Sequence, residues 1–393
     1  MEEILYYSYN DFSSILLIFF FHAVVFSILL LKNGTEENKR HSKWLAAFIF
    51  LGALYISPFM FGYAGWYGKD GYREFLYFMP LQQLFLIGPV FYFYVKTLLN
   101  RNLEFDRKDL LHFVPAIIYA IYILIVFITD YLILDEFYFY ADGRDMDLDF
   151  WYQMAGLLSM LFYLYRSLKY YLNYRTISLQ EVSFADEIAF KWIKHFIIAF
   201  SIILVLRVLF FILNPEWGKF GSKFWYYCCF SILLYYISIT GYSNTIRTTI
   251  KLDDGLLEGL EPSENGERSK TSNEMEEDIA LSEWKEKITQ LFESKQVFKN
   301  SNLTLTDVAD QLNTNRNIIS KAINQEFQMN FNDFVNVKRA EAVIEQLKKG
   351  EHIKNTLLAI ALDCGFNSKT TFNRAFKKHT SITPRQFIEQ NQL

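Results

Sequence analysis

Cysteine is nearly missing from this chain: there are three among 393 residues, Cys228, Cys229 and Cys364. Adjacent cysteines rarely bridge each other and the third is remote, so no disulfide framework or Cys-x-x-Cys metal pair is expected. Free cysteine then acts as a small apolar side chain. The opening stretch MEEILYYSYNDF lacks Lys and Arg. A secretory signal needs a basic start and a small-residue cleavage site, so the first apolar run is expected to be retained. Catalytic signatures are also missing. There is no nucleophile–base pair, phosphate loop or kinase motif, and Ser, His and Asp share no recognisable spacing. No enzyme and no cofactor are expected.

What the chain has is apolar and aromatic bulk. Hydrophobic residues make up 52% and aromatics 18%, with 39 Phe and 26 Tyr. They concentrate before residue 244, and the chain after it is charged and polar. The net charge of −4 averages two different materials. About 20 helical residues cross a bilayer core of about 30 Å. Seven runs reach that length: 13–31, 44–65, 75–95, 110–134, 150–172, 191–213 and 224–243. Only helices satisfy every backbone group within such runs. Arg166 and Lys169, near the end of the fifth, can snorkel to the interface. Residues 1–243 are therefore expected to form a seven-helix transmembrane bundle with sensor character, with the lipid bilayer as its partner. Tyrosines near the run ends fit an interfacial belt.

Orientation follows from Lys and Arg in the connecting segments. With the N-terminus outside, the inner segments carry 13 (Lys32, Lys39, Arg40, Lys43, Lys96, Arg101, Arg107, Lys108, Arg166, Lys169, Arg175, Lys191, Lys194). The outer segments carry 5: Lys69, Arg73, Arg144, Lys219 and Lys223. The C-terminal part is then expected in the cytoplasm, behind an inner membrane. Residues 244–280, acidic and almost free of aromatics, cannot bury enough apolar surface to fold alone. They are expected to be a flexible linker, or a solvated extension of the last helix.

From residue 281 the pattern is soluble and helical, and it repeats. Leu305, Val308, Ala309, Leu312 and Asn313 recur 52 residues on as Leu357, Ile360, Ala361, Cys364 and Gly365. Ile319, Ala322 and Ile323 recur 53 residues on as Phe372, Ala375 and Phe376. Each unit, about 303–327 and 355–379, has helix-turn-helix logic. Ala309 or Ala361 lets two helices cross closely, and Asn313 or Gly365 tolerates a left-handed turn. Each second helix is expected to bury an apolar face: Ile318, Ile319, Ala322 and Ile323 in one, Phe372, Ala375 and Phe376 in the other.

The opposite faces lack acidic residues altogether. One carries Arg316, Asn317, Ser320, Lys321 and Asn324; the other carries Lys369, Thr370, Asn373, Arg374 and Lys377. Arg and Lys pair with guanine edges or phosphates, Asn pairs bidentately with adenine, and Ser and Thr serve either. Residues 296–393 hold 13 Lys and Arg against 9 Asp and Glu, and Gly365–Arg385 holds five basic residues and no acidic one. Neutralising phosphates supplies much of the affinity of such domains.

The stretches LTLTDVADQLNTNRNIISKAINQEF, NFNDFVNVKRAEAVIEQL and LLAIALDCGFNSKTTFNRAFKKHTSITPRQF resemble the DNA-binding domain of the AraC/XylS family. The resemblance spans about 282–390. It implies seven helices, with a linker helix near 331–348 joining recognition helices at about 315–326 and 368–379. It also implies promoter DNA as partner. Ile323 stands where an aromatic is common in the family.

The whole reads as an all-α, membrane-integral, one-component transcription regulator: residues 1–243 sense an unknown signal ligand or membrane partner, and 281–393 bind DNA. Homodimers are compatible with it. Two other readings stay open: a factor released by cleavage in 244–280, and a receptor or transporter whose C-terminal domain binds protein. Inside the apolar half, Arg207 is the one formally charged residue deep in a run, the kind that marks either function or a structural tie. His22, His112, His195, Gln82 and Gln83 are expected to bond between helices. Asp145, Asp147 and Asp149 have the spacing of a calcium loop but lack its Gly and bidentate Glu. The loop 135–149 is expected to be solvated.

Overall fold

The computed structural model describes residues 7–100, 103, 105–141, 145–184, 190–213, 221–251 and 274–392. The chain forms two compact units, Met1–Tyr171 with Lys191–Glu258, and Leu172–Phe190 with Gly259–Leu393. Among the described residues the fold is all-helical; its one β feature is a bridge between Val182 and Thr304.

In the first unit, α1 (Asp11–Glu36) starts at a capping box. The Asn10 side chain accepts from the Ser13 amide, and the Asn10 amide donates to the Ser13 hydroxyl. This satisfies amides that have no intrahelical partner. Then come α2 (Arg40–Tyr63), α3 (Tyr72–Phe78), α4 (Leu84–Leu99) and α5 (Val114–Phe127), the last running on as a π-helix to Leu134. They are followed by α6 (Phe150–Glu181), α7 (Phe190–Val208) and α8 (Lys223–Lys251). Among the described residues, five stretches are long and apolar enough to cross a membrane: Asp11–Glu36, Arg40–Tyr63, Arg107–Leu134, Trp192–Phe211 and Lys223–Thr245.

The other two expected spans do not stand as such. The third is broken: α3 stops at Phe78 and α4 restarts at Leu84. Pro80 lies in the break; it has no amide hydrogen and disfavours helix in the residue before it. What remains, α4, has 16 residues. The fifth is one helix of 32 residues, too rich in Tyr, Ser, Arg and Lys to match the five. Close approach holds α4 to α6. A Cβ on Gly156 would lie 2.6 Å from Leu84, and one on Gly88 2.7 Å from the Tyr163 ring.

The tether expected over 244–280 is helical at both ends. The last apolar helix continues to Lys251, and α9 (Glu274–Lys295) begins before residue 281. Its middle, 252–273, lies outside the described residues, as do Arg101, Arg144 and Lys219 of the charge count.

The acidic loop is solvated in its first part, where Asp135 and Glu136 are exposed; Asp145 and Asp147 are not. Asp145 and Asp147 are 4% and 3% exposed. Tyr67 donates to Asp145 (2.8 Å), while Tyr119 (2.5 Å) and the Gln82 amide (2.9 Å) donate to Asp147. Tyrosine hydroxyls thus replace the water that the sequence reading assigned to these carboxylates. Burial pushes both carboxyls above their ordinary value, and Asp147 adds to the rise at Asp145. Gln82 does bond between helices, to Tyr55 O and Tyr227 Oη. So do His22, 2.7 Å from Ser238 Oγ, and His112, 2.8 Å from Tyr163 Oη. Gln83 instead donates to Pro80 O in its own loop, and His195 is exposed. Arg207 is buried and donates to Tyr55 Oη (3.1 Å), Gln153 O (3.1 Å) and Gln153 Oε1 (2.6 Å).

In the second unit α9 is followed by α10 (Leu305–Gln311), α11 (Arg316–Glu326), α12 (Phe331–Lys348), α13 (Leu357–Asp363), α14 (Lys369–Thr380) and α15 (Pro384–Gln390). A side chain caps each of these six: Thr304, Asn315, Asn330, Thr356, Ser368 and Thr383. Such caps are worth about 1 kcal/mol each, which matters for helices of seven residues. There are two apolar cores, and α12 runs through both. Phe331, Phe334 and Val335 enter the first, with Leu305, Val308, Ile319 and Ile323. Ala340, Val343 and Leu347 enter the second, with Ile360, Phe372 and Phe376.

Candidate nucleic-acid interface

Each reading head is a short helix, a turn and a second helix. The turn residues adopt the left-handed backbone expected of them, Asn313 at φ 51° and Gly365 at φ 94°. At Gly365 a Cβ would fall 2.3 Å from the carbonyl oxygen of Phe298, so no other residue fits. The second helices are then set by their apolar faces: Ile319, Ala322 and Ile323 are buried in α11, and Phe372, Ala375 and Phe376 in α14. Ile318 departs from expectation. It is 38% exposed, because it lies too far round α11 to share the face of Ile319 and Ile323.

The candidate DNA contacts occupy the outer faces. Arg316, Asn317, Lys321 and Asn324 are exposed on α11 and Ser320 is half-buried, within 3.4 Å of Asn324 Nδ2. On α14, Lys369, Thr370, Asn373, Arg374 and Lys377 are all exposed. Lys378, next to them, is tied back to Asp333 of α12 at 2.8 Å. Burial and then the like charge of Arg175 lower the Arg374 pKa from its ordinary value. Both faces therefore present amides, hydroxyls and cations on rigid helices.

Two features escaped the sequence reading. Arg339 is 1% exposed on α12, between the two cores. It donates to Phe298 O and Asn300 O, both at 2.8 Å, and to Ser183 Oγ at 3.1 Å. Its signal was present: Val335, Arg339, Val343 and Leu347 share one stripe of the helix, so an Arg there must go inward. The second feature is the segment 172–184, which packs with this unit. Ser183 N donates to Leu303 O (3.1 Å), Asn332 Nδ2 donates to Ser183 O (2.8 Å), and Glu181 pairs with Arg316 at 3.7 Å. Nothing in the local pattern of 172–184 marks these partners, which lie more than a hundred residues away.

Residues 308–390 match the family model of a helix-turn-helix domain. The C-terminal domain is a helix-turn-helix domain of the AraC type. No solved structure matches the chain. A domain of this type is a DNA-binding regulatory module, and the match covers both reading heads from within α10 to the end of α15.

Proposed function

We propose that this chain is a membrane-integral, one-component transcription regulator, in which the apolar bundle senses a signal and the C-terminal domain binds promoter DNA at the inner membrane face. One juxtaposition carries the reading: among the described residues, five helices long and apolar enough to cross a membrane precede an AraC-type domain in a single chain. The exposure of the bundle supports the lipid partner. Only 22% of the apolar window of α1 is buried, and only 22% of the window over Arg107–Leu134. Ile18, Phe21, Leu132 and Ile133 are more than half exposed. Soluble monomers rarely show apolar patches of this extent, and lipid covers them without cost.

In this reading Arg316, Asn317, Ser320, Lys321 and Asn324 contact one groove segment, and Lys369, Thr370, Asn373, Arg374 and Lys377 the next, about one DNA turn away. The signal acts by favouring one of two states of the bundle. The test is DNA binding by the full chain in lipid nanodiscs, by gel shift over a range of salt. Sequence-selective binding that weakens steeply with salt supports the reading. Binding of a protein but no DNA favours a receptor instead. A reporter fused after residue 250 checks orientation: cytoplasmic activity is expected, and periplasmic activity overturns it.

A further inference from the structure

The first unit contains a cavity of about 160 Å³ lined by Phe59, Leu157, Phe211, Tyr227, Arg207 and Lys223, among others. Its walls are apolar or aromatic apart from two cations and Gln153. Arg207 is spent on neutral acceptors, Tyr55 and Gln153. Lys223 lies over the Phe59 and Phe211 rings, at 5.5 and 6.0 Å. Among the described residues, neither cation is paired with a carboxylate. Two acids of the adjoining loop are committed elsewhere, Asp147 to Tyr119 and Gln82, Asp145 to Tyr67. A buried Arg207 and a half-buried Lys223 beside one apolar cavity are costly unless an anion joins them.

We propose that this cavity binds a monoanionic amphiphile, its oxyanion between Lys223 and Arg207 and a short apolar tail against Phe59, Leu157 and Phe211. A cavity of about 150 Å³ accepts a guest the size of benzene, which suits a short acyl chain better than a whole lipid tail. This deepens the sensing role proposed above and rests on it. The oxyanion has two possible sources, a free carboxylate or the headgroup of an anionic lipid.

The test uses the full chain in phosphatidylcholine nanodiscs and radiolabelled octanoate, counted above empty discs. Saturable binding is expected, competed by unlabelled octanoate but not by octanol. Lys223→Gln is expected to weaken it about tenfold, and Lys223→Arg to restore it. Equal competition by octanol, or unchanged binding in Lys223→Gln, overturns the site. The octanol comparison needs no variant and stands even if a substitution unfolds the bundle. Displacement by added phosphatidylglycerol assigns the headgroup as source; none assigns the free acid. Octanoate binding that leaves DNA affinity unchanged keeps the site and sinks its role as sensor.

A separate observation carries a second inference. Residues 172–184 are stitched to the first reading head by the Val182–Thr304 bridge, by the bonds of Ser183 to Leu303 and Asn332, and by Glu181 on Arg316. We infer that this segment is an autoinhibitory clamp: it holds a DNA-facing Arg and sets a carboxylate where phosphate must come. It rests on Arg316 being a DNA contact. Residues 172–181 are the end of α6, and Val182 and Ser183 follow directly, so a shift of that helix bears on the contacts with the head. In the full chain in nanodiscs, Glu181→Gln is expected to tighten DNA binding about two- to fivefold, the range of a half-exposed ion pair. A disulfide between V182C and T304C is expected to weaken DNA binding until it is reduced. No change in either variant overturns the clamp. If Arg316→Ala leaves DNA affinity unchanged, the assignment of Arg316 falls instead.

Discussion

Arg374 and Asn373 stand exposed on a helix whose other face is locked in the second core, which turns them toward the side proposed to meet base edges. Replacing either with Ala is expected to weaken specific DNA binding by about 1–3 kcal/mol, read by gel shift against the same operator. Arg339 is its opposite, a cation that never reaches solvent. Arg339→Met leaves the carbonyls of Phe298 and Asn300 without their donor. A loss of about 1–3 kcal/mol in unfolding free energy is expected, with DNA contacts untouched. Asp145 gives a pH effect. Burial raises its folded pKa, so the folded state holds a proton that the unfolded state releases. The stabilisation is complete below the usual carboxylate range of about 4 and is lost as pH rises through the folded value. Thermal unfolding in detergent should fall from pH 5 to pH 9, and fall less in Asp145→Asn. An equal slope in both would remove Asp145 as the cause.

Among the elements, the turns carry the sharpest constraint. Gly365→Ala forces a side chain into a left-handed backbone and against the Phe298 carbonyl. It should cost at least about 1–2 kcal/mol, whereas Asn313→Gly, at a turn with φ 51°, should cost little. Thermal unfolding of the two variants decides this. These elements were legible because local chemistry dictates them: a small residue at each crossing and a left-handed residue after it. The break between α3 and α4 was less legible. Hydropathy averaged over residues 75–95 hides one Pro80. The buried acids were not legible at all, because their donors, Tyr67 and Tyr119, come from elements far along the chain. The same holds for the pairing of Glu181 with Arg316, a contact set by the fold and not by spacing.

At the scale of the whole molecule the composition divides the chain, and the two compact units follow that division except at Leu172–Phe190. This segment lies between apolar helices in sequence yet packs with the DNA-binding unit. Released soluble domain would behave differently, since cleavage within 252–273 would free α9 onward but leave 172–184 behind. The most direct measurement is genome-wide mapping of bound DNA in cells whose membranes are fractionated in parallel. The account predicts that the full-length chain, recovered with membranes, occupies discrete promoter sites that are lost in Arg374→Ala. Occupancy carried only by a soluble fragment, or unchanged in Arg374→Ala, would contradict it.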